Sequence, residues 1–432
     1  MMWIYFFLIT LFLRPQDFPG SPFYGYPLND IIVVGGILSA FIYQSRMKRN
    51  IKIPQHNFII FWILLVFMSN FVNGNMDLGI EQLLAFGKRY IVFLIFLLIA
   101  NTPKRIRNIF ILSGVLAVVL CFQGLYQQQN RIGWAKQTLN SVEISSEEAI
   151  KERFLIDEGR TFWIGLWDGP NVLALVYLFV IPFFIINLFR KDRSPMVKIS
   201  CFLFSCMLCL GIFSTGSRGA LLAFMGSMLL FFALRFNKKT CIFLSGATLL
   251  GILCLNKGRM ALLSSAESSA HERTWLWEQG LSMAQDNPLF GIGKGKFVEV
   301  TGLIAHNNFV SSMAEMGYLG VFLYVSIVYL SLKGCLIAYR ALRNDVKNEE
   351  ITTLALIVFT ASAAFFMATF FVIMEHDLLF IILALCANVF LIAKEQINEN
   401  ITLLSQKDWV KIIFSFVFVI VLIWLIAVKE II

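Results

Sequence analysis

Arg218 lies in Ser214-Thr215-Gly216-Ser217-Arg218-Gly219-Ala220, a turn of small residues between two apolar runs. Small residues let two membrane helices approach closely and leave the guanidinium uncovered. An Arg beside a helix start can hold a phosphate through paired N–H bonds. It can equally snorkel to the membrane interface. His306 stands in Ala305-His306-Asn307-Asn308-Phe309 at the end of another run. A neutral imidazole near physiological pH can take a proton from a hydroxyl group; a purely structural His is the alternative. Glu315 is nine residues further on. That is about 13 Å along a helix, too far to touch His306, so backbone or a neighbouring helix is its expected partner.

Arg273 belongs to a predicted amphipathic helix. Ser269-Ala270-His271-Glu272 fits a capping box, and the helix runs through Trp275, Trp277 and Met283 to stop before Asn287-Pro288. Arg273 and Trp277 share a face, and the aromatic residues suggest a helix lying on the membrane surface. His271-Glu272 is not a zinc-protease motif, because Trp275 occupies the place of the second His. Gly291-Ile292-Gly293-Lys294-Gly295-Lys296 is neither a dinucleotide fingerprint nor a P-loop. It reads as a flexible return to the membrane, with Lys294 and Lys296 adding positive potential. Lys88 and Arg89 sit inside an apolar run, either snorkelling outward or marking a functional site. Glu375-His376-Asp377 reads as an interfacial helix end. In Trp167-Asp168-Gly169-Pro170-Asn171, Gly169 caps a helix and Pro170 starts it, leaving Asn171 to shape a site just beneath the surface. No D-x-D pair, His/Cys metal spacing or Ser-His-Asp order stands out, so neither a metal nor another cofactor is expected.

The elements that must hold these groups follow from composition. Of 432 residues, 58% are hydrophobic and 15% charged; soluble domains carry roughly 45–50% and about 25%. Apolar runs near 29–45, 57–73, 82–100, 109–126, 171–189, 199–214, 219–234, 240–256, 317–337, 351–372, 377–393 and 410–428 are continuous. They predict an all-α polytopic membrane protein of about 12–13 transmembrane helices, not a barrel of short alternating strands. Residues 2–13 are a shorter apolar run, a short helix or a re-entrant piece. The net charge of +9 reflects topology and not nucleic-acid binding. Six short loops hold 19 Lys/Arg and the short loops between them two, which assigns the basic set to the cytoplasm. The eight Cys lie in apolar runs and do not form a disulfide framework.

Two long segments, 127–169 and 257–305, then fall outside the cytoplasm, where polar chemistry has room. The chain divides into N-terminal membrane helices (1–126), the first long loop, central helices (170–256), the second long loop, and C-terminal helices (306–432).

Taken together, Gly169-Pro170-Asn171, the Ser217-Arg218 turn, Arg273-Thr274-Trp275 with Asn287-Pro288-Leu289-Phe290-Gly291-Ile292-Gly293, and His306-Asn307 followed by Glu315-Met316-Gly317 and Gly320 resemble the O-antigen ligase family. Its shared domain also occurs in lipid-linked glycan polymerases of the Wzy type. The resemblance covers about residues 160–335. It implies a metal-independent glycosyltransferase of the bacterial inner membrane. The implied donor is an undecaprenyl-diphosphate-linked oligosaccharide, and the active site faces the periplasm or exterior. It also implies that Arg218 and Arg273 hold the donor diphosphate; Arg89, as an intramembrane cation, and Lys294, as added positive potential, are further candidates for the same anion from the residues themselves. His306 would then serve the acceptor, supported by Asn171, Asn307 and Glu315. The acceptor is a growing glycan, lipid A-core or a protein. The long outer loops resemble the polymerase layout, and ligase remains the alternative. A polysaccharide transporter or flippase using the same cations is the rival outside transfer chemistry; membrane lipids are partners in every case.

Overall fold

The computed structural model of the protein describes residues 1–18, 20–47, 49–130, 159–255, 268–397 and 401–428. In chain order the helices are α1 (Met2–Leu13), α2 (Leu28–Met47), α3 (Pro54–Val72), α4 (Met76–Ile99) and α5 (Pro103–Asn130). Then come α6 (Pro170–Leu188), α7 (Pro195–Ser214), α8 (Arg218–Arg235), α9 (Lys238–Leu255) and α10 (Ser268–Asp286). The last five are α11 (Phe297–Thr301), α12 (Asn308–Leu342), α13 (Glu349–Ala368), α14 (Asp377–Ile397) and α15 (Gln406–Val428). Among the described residues eleven helices are long and apolar enough to cross a bilayer: all except α1, α9, α10 and α11. The chain is an all-α polytopic membrane protein. The expected run at 240–256 is α9. Helix α1 has 12 residues, about 18 Å at 1.5 Å per residue, short of a bilayer core of about 30 Å. Glu143, Glu147, Glu148, Glu152, Asp157 and Glu158 of the first long loop lie outside the described residues, as does the stretch 256–267 of the second.

The chain folds as two units, each assembled from separated stretches. The first comprises Met1–Met47, Ile99–Leu262 and Leu356–Ala368. Its centre is α6, almost every side chain of which is buried; Gly169 caps that helix in extended conformation and Pro170 opens it. Proline fits there because the first helical N–H has no intrahelical acceptor anyway. The short helix α1 leaves its last carbonyls without partners, as every helix does. Two indoles from the segment before α6 satisfy two of them: Trp167 Nε1 donates to Leu11 O at 2.8 Å and Trp163 Nε1 to Leu13 O at 3.1 Å.

The second unit comprises Lys48–Leu98, Leu263–Ala355 and Thr369–Ile432. Its axis is α12, packed by α3, α10, α14 and α15. Fully buried Trp62 of α3 meets Phe86 of α4 edge-on at 5.3 Å and Tyr324 of α12 at 5.7 Å. Helix α12 is broken at Gly317, whose φ of 67° and ψ of −169° lie in a region essentially reserved for glycine.

The break frees backbone groups that an unbroken helix would pair, and a buried membrane segment must satisfy them some other way. The glycine-rich loop does so. Ile292 N donates to Ala314 O and Gly293 N to Glu315 O, both at 3.0 Å, while Tyr318 N donates to Pro288 O at 2.8 Å. Gly291, with φ of 64°, lies so close to this helix that a Cβ would stand 2.4 Å from the Glu315 carbonyl carbon. The loop expected as a flexible return is therefore a fixed splint for a kinked helix. A Cβ on Gly317 would stand 2.6 Å from Pro288 O and Leu289 C. Gly317→Ala is accordingly expected to destabilise the protein by about 3 kcal/mol or more, read as a lowered melting temperature in detergent; unchanged melting would contradict this account of the kink.

Candidate functional site

In the first unit, Arg218 is the first residue of α8 and partly buried. Ser217 caps the helix, its hydroxyl accepting from Ala220 N at 3.3 Å. The turn is possible because Gly216 takes a φ of 61°. It is braced from the segment before α6: Thr161 N donates to Ser214 O at 3.0 Å, and the two hydroxyls pair at 3.0 Å. Arg160 completes the brace. Its Nε donates to Thr215 O at 3.0 Å and its Nη2 to Asn171 Oδ1 at 3.3 Å. Asn171 thus serves the Arg218 turn through Arg160, a residue the sequence reading did not single out. Its partners lie 11 and 55 positions away, beyond any local pattern.

In the second unit, His306 has a φ of 49°. A left-handed backbone on a residue other than glycine is uncommon and persists only where the surroundings impose it. Here they impose it on both sides. Trp277 Nε1 donates to Ala305 O at 3.1 Å. Asn307 caps α12, its Oδ1 accepting from Phe309 N at 2.8 Å and Val310 N at 3.2 Å. Asn308 N donates to Thr369 O at 2.9 Å, and its side-chain oxygen accepts from Met374 N at 2.7 Å. Burial, and then the positive charge of Arg273, push the His306 pKa down to about 4. The imidazole is therefore neutral at physiological pH, and Arg273 is its electrostatic neighbour.

Helix α10, which carries Arg273, corrects two expectations. It begins at Ser268, so Ser269 is inside the first turn and not at the cap. It does not simply lie on a membrane surface: Leu276, Trp277, Leu281, Met283 and Ala284 are buried, and the helix packs against α12. Trp275 is the aromatic residue left exposed.

Lys294 is corrected as well. It is not an open cation but is only 6% exposed. Its Nζ lies 2.7 Å from Glu315 Oε2 and 2.6 Å from Glu375 Oε2. Burial alone would lower its pKa; the two carboxylates more than offset that and raise it above the ordinary lysine value. A lysine so neutralised has little charge to offer a diphosphate. Glu315 finds backbone partners, as expected, and more: it accepts from Gly295 N at 3.0 Å, Phe297 N at 3.3 Å and Ser311 Oγ at 3.0 Å. Glu375, read as interfacial, is buried. Arg89 donates from Nη2 to His376 Nδ1 at 3.1 Å and lies over the Phe86 ring at 4.7 Å. A guanidinium only donates, so His376 Nδ1 is the acceptor and any proton on the neutral ring is on Nε2.

The arrangement separates two kinds of polar group. Lys294, Glu315 and Glu375 saturate one another and fix the splint. His306, beside Arg273, is a neutral base held in a strained and anchored backbone.

A search of the curated proteins finds no match to the chain. A family model described as O-antigen ligase matches residues 201–325, the stretch that contains Arg218, Arg273, Lys294, His306 and Glu315. The chain is a multi-pass membrane protein that carries the domain of the O-antigen ligase family.

Proposed function

We propose that this protein transfers glycan from an undecaprenyl-diphosphate-linked oligosaccharide to an acceptor hydroxyl at the outer face of the bacterial inner membrane. The observation that carries this reading is the neutral, strained His306 beside Arg273 within the matched domain. The acceptor O–H gives its proton to the imidazole while its oxygen attacks the anomeric carbon. The bond from that carbon to the diphosphate oxygen breaks, and its electron pair leaves with undecaprenyl diphosphate. Arg273 stabilises the charge developing on the leaving group, so neither a nucleotide nor a metal ion is required; the family resemblance makes Arg218 a separate candidate for donor binding. EDTA is expected to leave turnover unchanged.

A pKa near 4 makes His306 a weak base in the empty site. A diphosphate against Arg273 removes the cause of part of that depression and adds negative charge of its own, so donor binding strengthens the base. The pH profile follows. The acid limb of kcat/KM, which reports the free enzyme, should fall near pH 4, and that of kcat should lie higher. Arg273→Ala should move the kcat/KM limb upward toward the ordinary histidine value. A wild-type kcat/KM limb already at or above that value would contradict this assignment.

The functional test is turnover of purified donor by Arg218→Ala, Arg273→Ala and His306→Ala; wild-type rates in all three would remove these roles. The products then separate two readings. A ladder on the lipid carrier, favoured by the two long loops, identifies a polymerase. Glycan on lipid A-core or protein identifies a ligase.

A further inference from the structure

We propose that the first unit holds an anionic glycerophospholipid in a cleft between α5, α6 and α7, independently of the transfer reaction. The cleft encloses about 400 Å³. Arg107 and Arg193 stand at the end where the chain enters α5 and α7. That is the end whose loops carry the basic excess, the side on which anionic headgroups meet juxtamembrane cations.

Below the arginines the walls become apolar. Arg107, Ile111 and Val115 form one stripe of α5 at four-residue spacing, facing Phe184 of α6 and Phe204 of α7. Eight residues of helix descend about 12 Å, most of the depth of one leaflet's hydrocarbon of about 15 Å. A charged mouth above an apolar slot of this length suits a headgroup phosphate and the upper part of an acyl chain.

Arg193 is poised for such a ligand. Its Nε is buried with no hydrogen-bond partner among the described residues. Its contact with Asp192 is 4.0 Å, too long for a hydrogen bond. Asp192 is instead gripped by Arg190, whose Nε donates to its Oδ1 at 2.7 Å. The Arg190 hydrogen bond comes first among the causes that lower the Asp192 pKa. Its carboxylate is thus already committed, and an incoming phosphate would meet an N–H that none of the described residues satisfies.

The test uses the full chain in nanodiscs of equal phosphatidylcholine and phosphatidylglycerol, transferred to detergent and examined by native mass spectrometry. Phosphatidylglycerol should be retained selectively. Arg107→Gln/Arg193→Gln should weaken that retention about thirty-fold without changing the residual phosphatidylcholine. Ser200→Trp fills the cleft and leaves both arginines in place; it should also lose the lipid, and it carries the test if the double variant does not fold. Equal retention of both lipids by wild type, or unchanged phosphatidylglycerol in either variant, would overturn the proposal. So would release of the lipid by millimolar inorganic phosphate, which would assign the site to a free anion.

Discussion

Replacing His306 with Asn lowers glycan transfer about 10²–10⁴-fold, with little change in melting temperature. Asn is the informative substitution because it tolerates the left-handed backbone that position 306 adopts. His306→Ala would remove the imidazole and add conformational strain together. If His306 is a structural residue, the Asn variant should melt lower while its folded fraction turns over normally. A parallel loss of rate without loss of fold marks a proton acceptor.

The imidazole also leaves a thermodynamic trace. Its folded pKa is depressed to about 4, while the unfolded chain titrates near the ordinary value. Between these limits the unfolded state binds more protons, so stability rises with pH across that window. The contribution is fully present above the unfolded value and is lost as pH falls toward 4.

Lys294→Met is expected to produce the largest loss of stability, about 3–5 kcal/mol. Two carboxylates share this ammonium, all three groups being almost fully buried. Removing the cation leaves Glu315 and Glu375 charged and facing one another with little water. They must then repel, take up protons, or open the structure. The loss should pass to the splint, because Glu315 also accepts the Gly295 and Phe297 amides that close the loop. Adding Glu315→Gln and Glu375→Gln to Lys294→Met should recover part of the melting temperature. Lys294→Met melting with the wild type, but with weakened donor binding, would return Lys294 to the diphosphate.

These two residues show where sequence reasoning reaches and where it stops. The helices are legible because apolar runs of sufficient length have one outcome in a bilayer, and a helix lies on each of the expected runs, although the one on 351–372 ends at Ala368 and α9, on 240–256, is not among the eleven long and apolar enough to span. Gly169-Pro170 is legible because cap chemistry is local. Sequence offers Lys294 only as positive potential, because its counter-charges lie 21 and 81 positions ahead, on no helical repeat that sequence can display. The break in α12 was equally hidden, since glycine is ordinary in membrane helices. Only the loop that repairs it reveals that Gly317 ends one helical segment and starts another. Trp277 misled for a related reason. An interfacial indole and an indole donating to a buried carbonyl look alike in sequence, and Ala305 O decides between them.

The strained position 306 had a partial signal. Asn307 is a strong cap residue, and a cap placed just before a long apolar run forces the preceding residue out of the helix. What sequence could not provide was the electrostatic pairing of His306 with Arg273, which turns two separate candidates into one chemical hypothesis.

The most direct measurement is the fate of the donor itself. Purified protein in nanodiscs is supplied with undecaprenyl-diphosphate-linked glycan and acceptor, and the lipid products are followed by mass spectrometry. The account predicts one free undecaprenyl diphosphate for each new glycosidic bond, abolished in His306→Asn. Donor carried across a bilayer with its diphosphate ester intact, and no new bond formed, would contradict it.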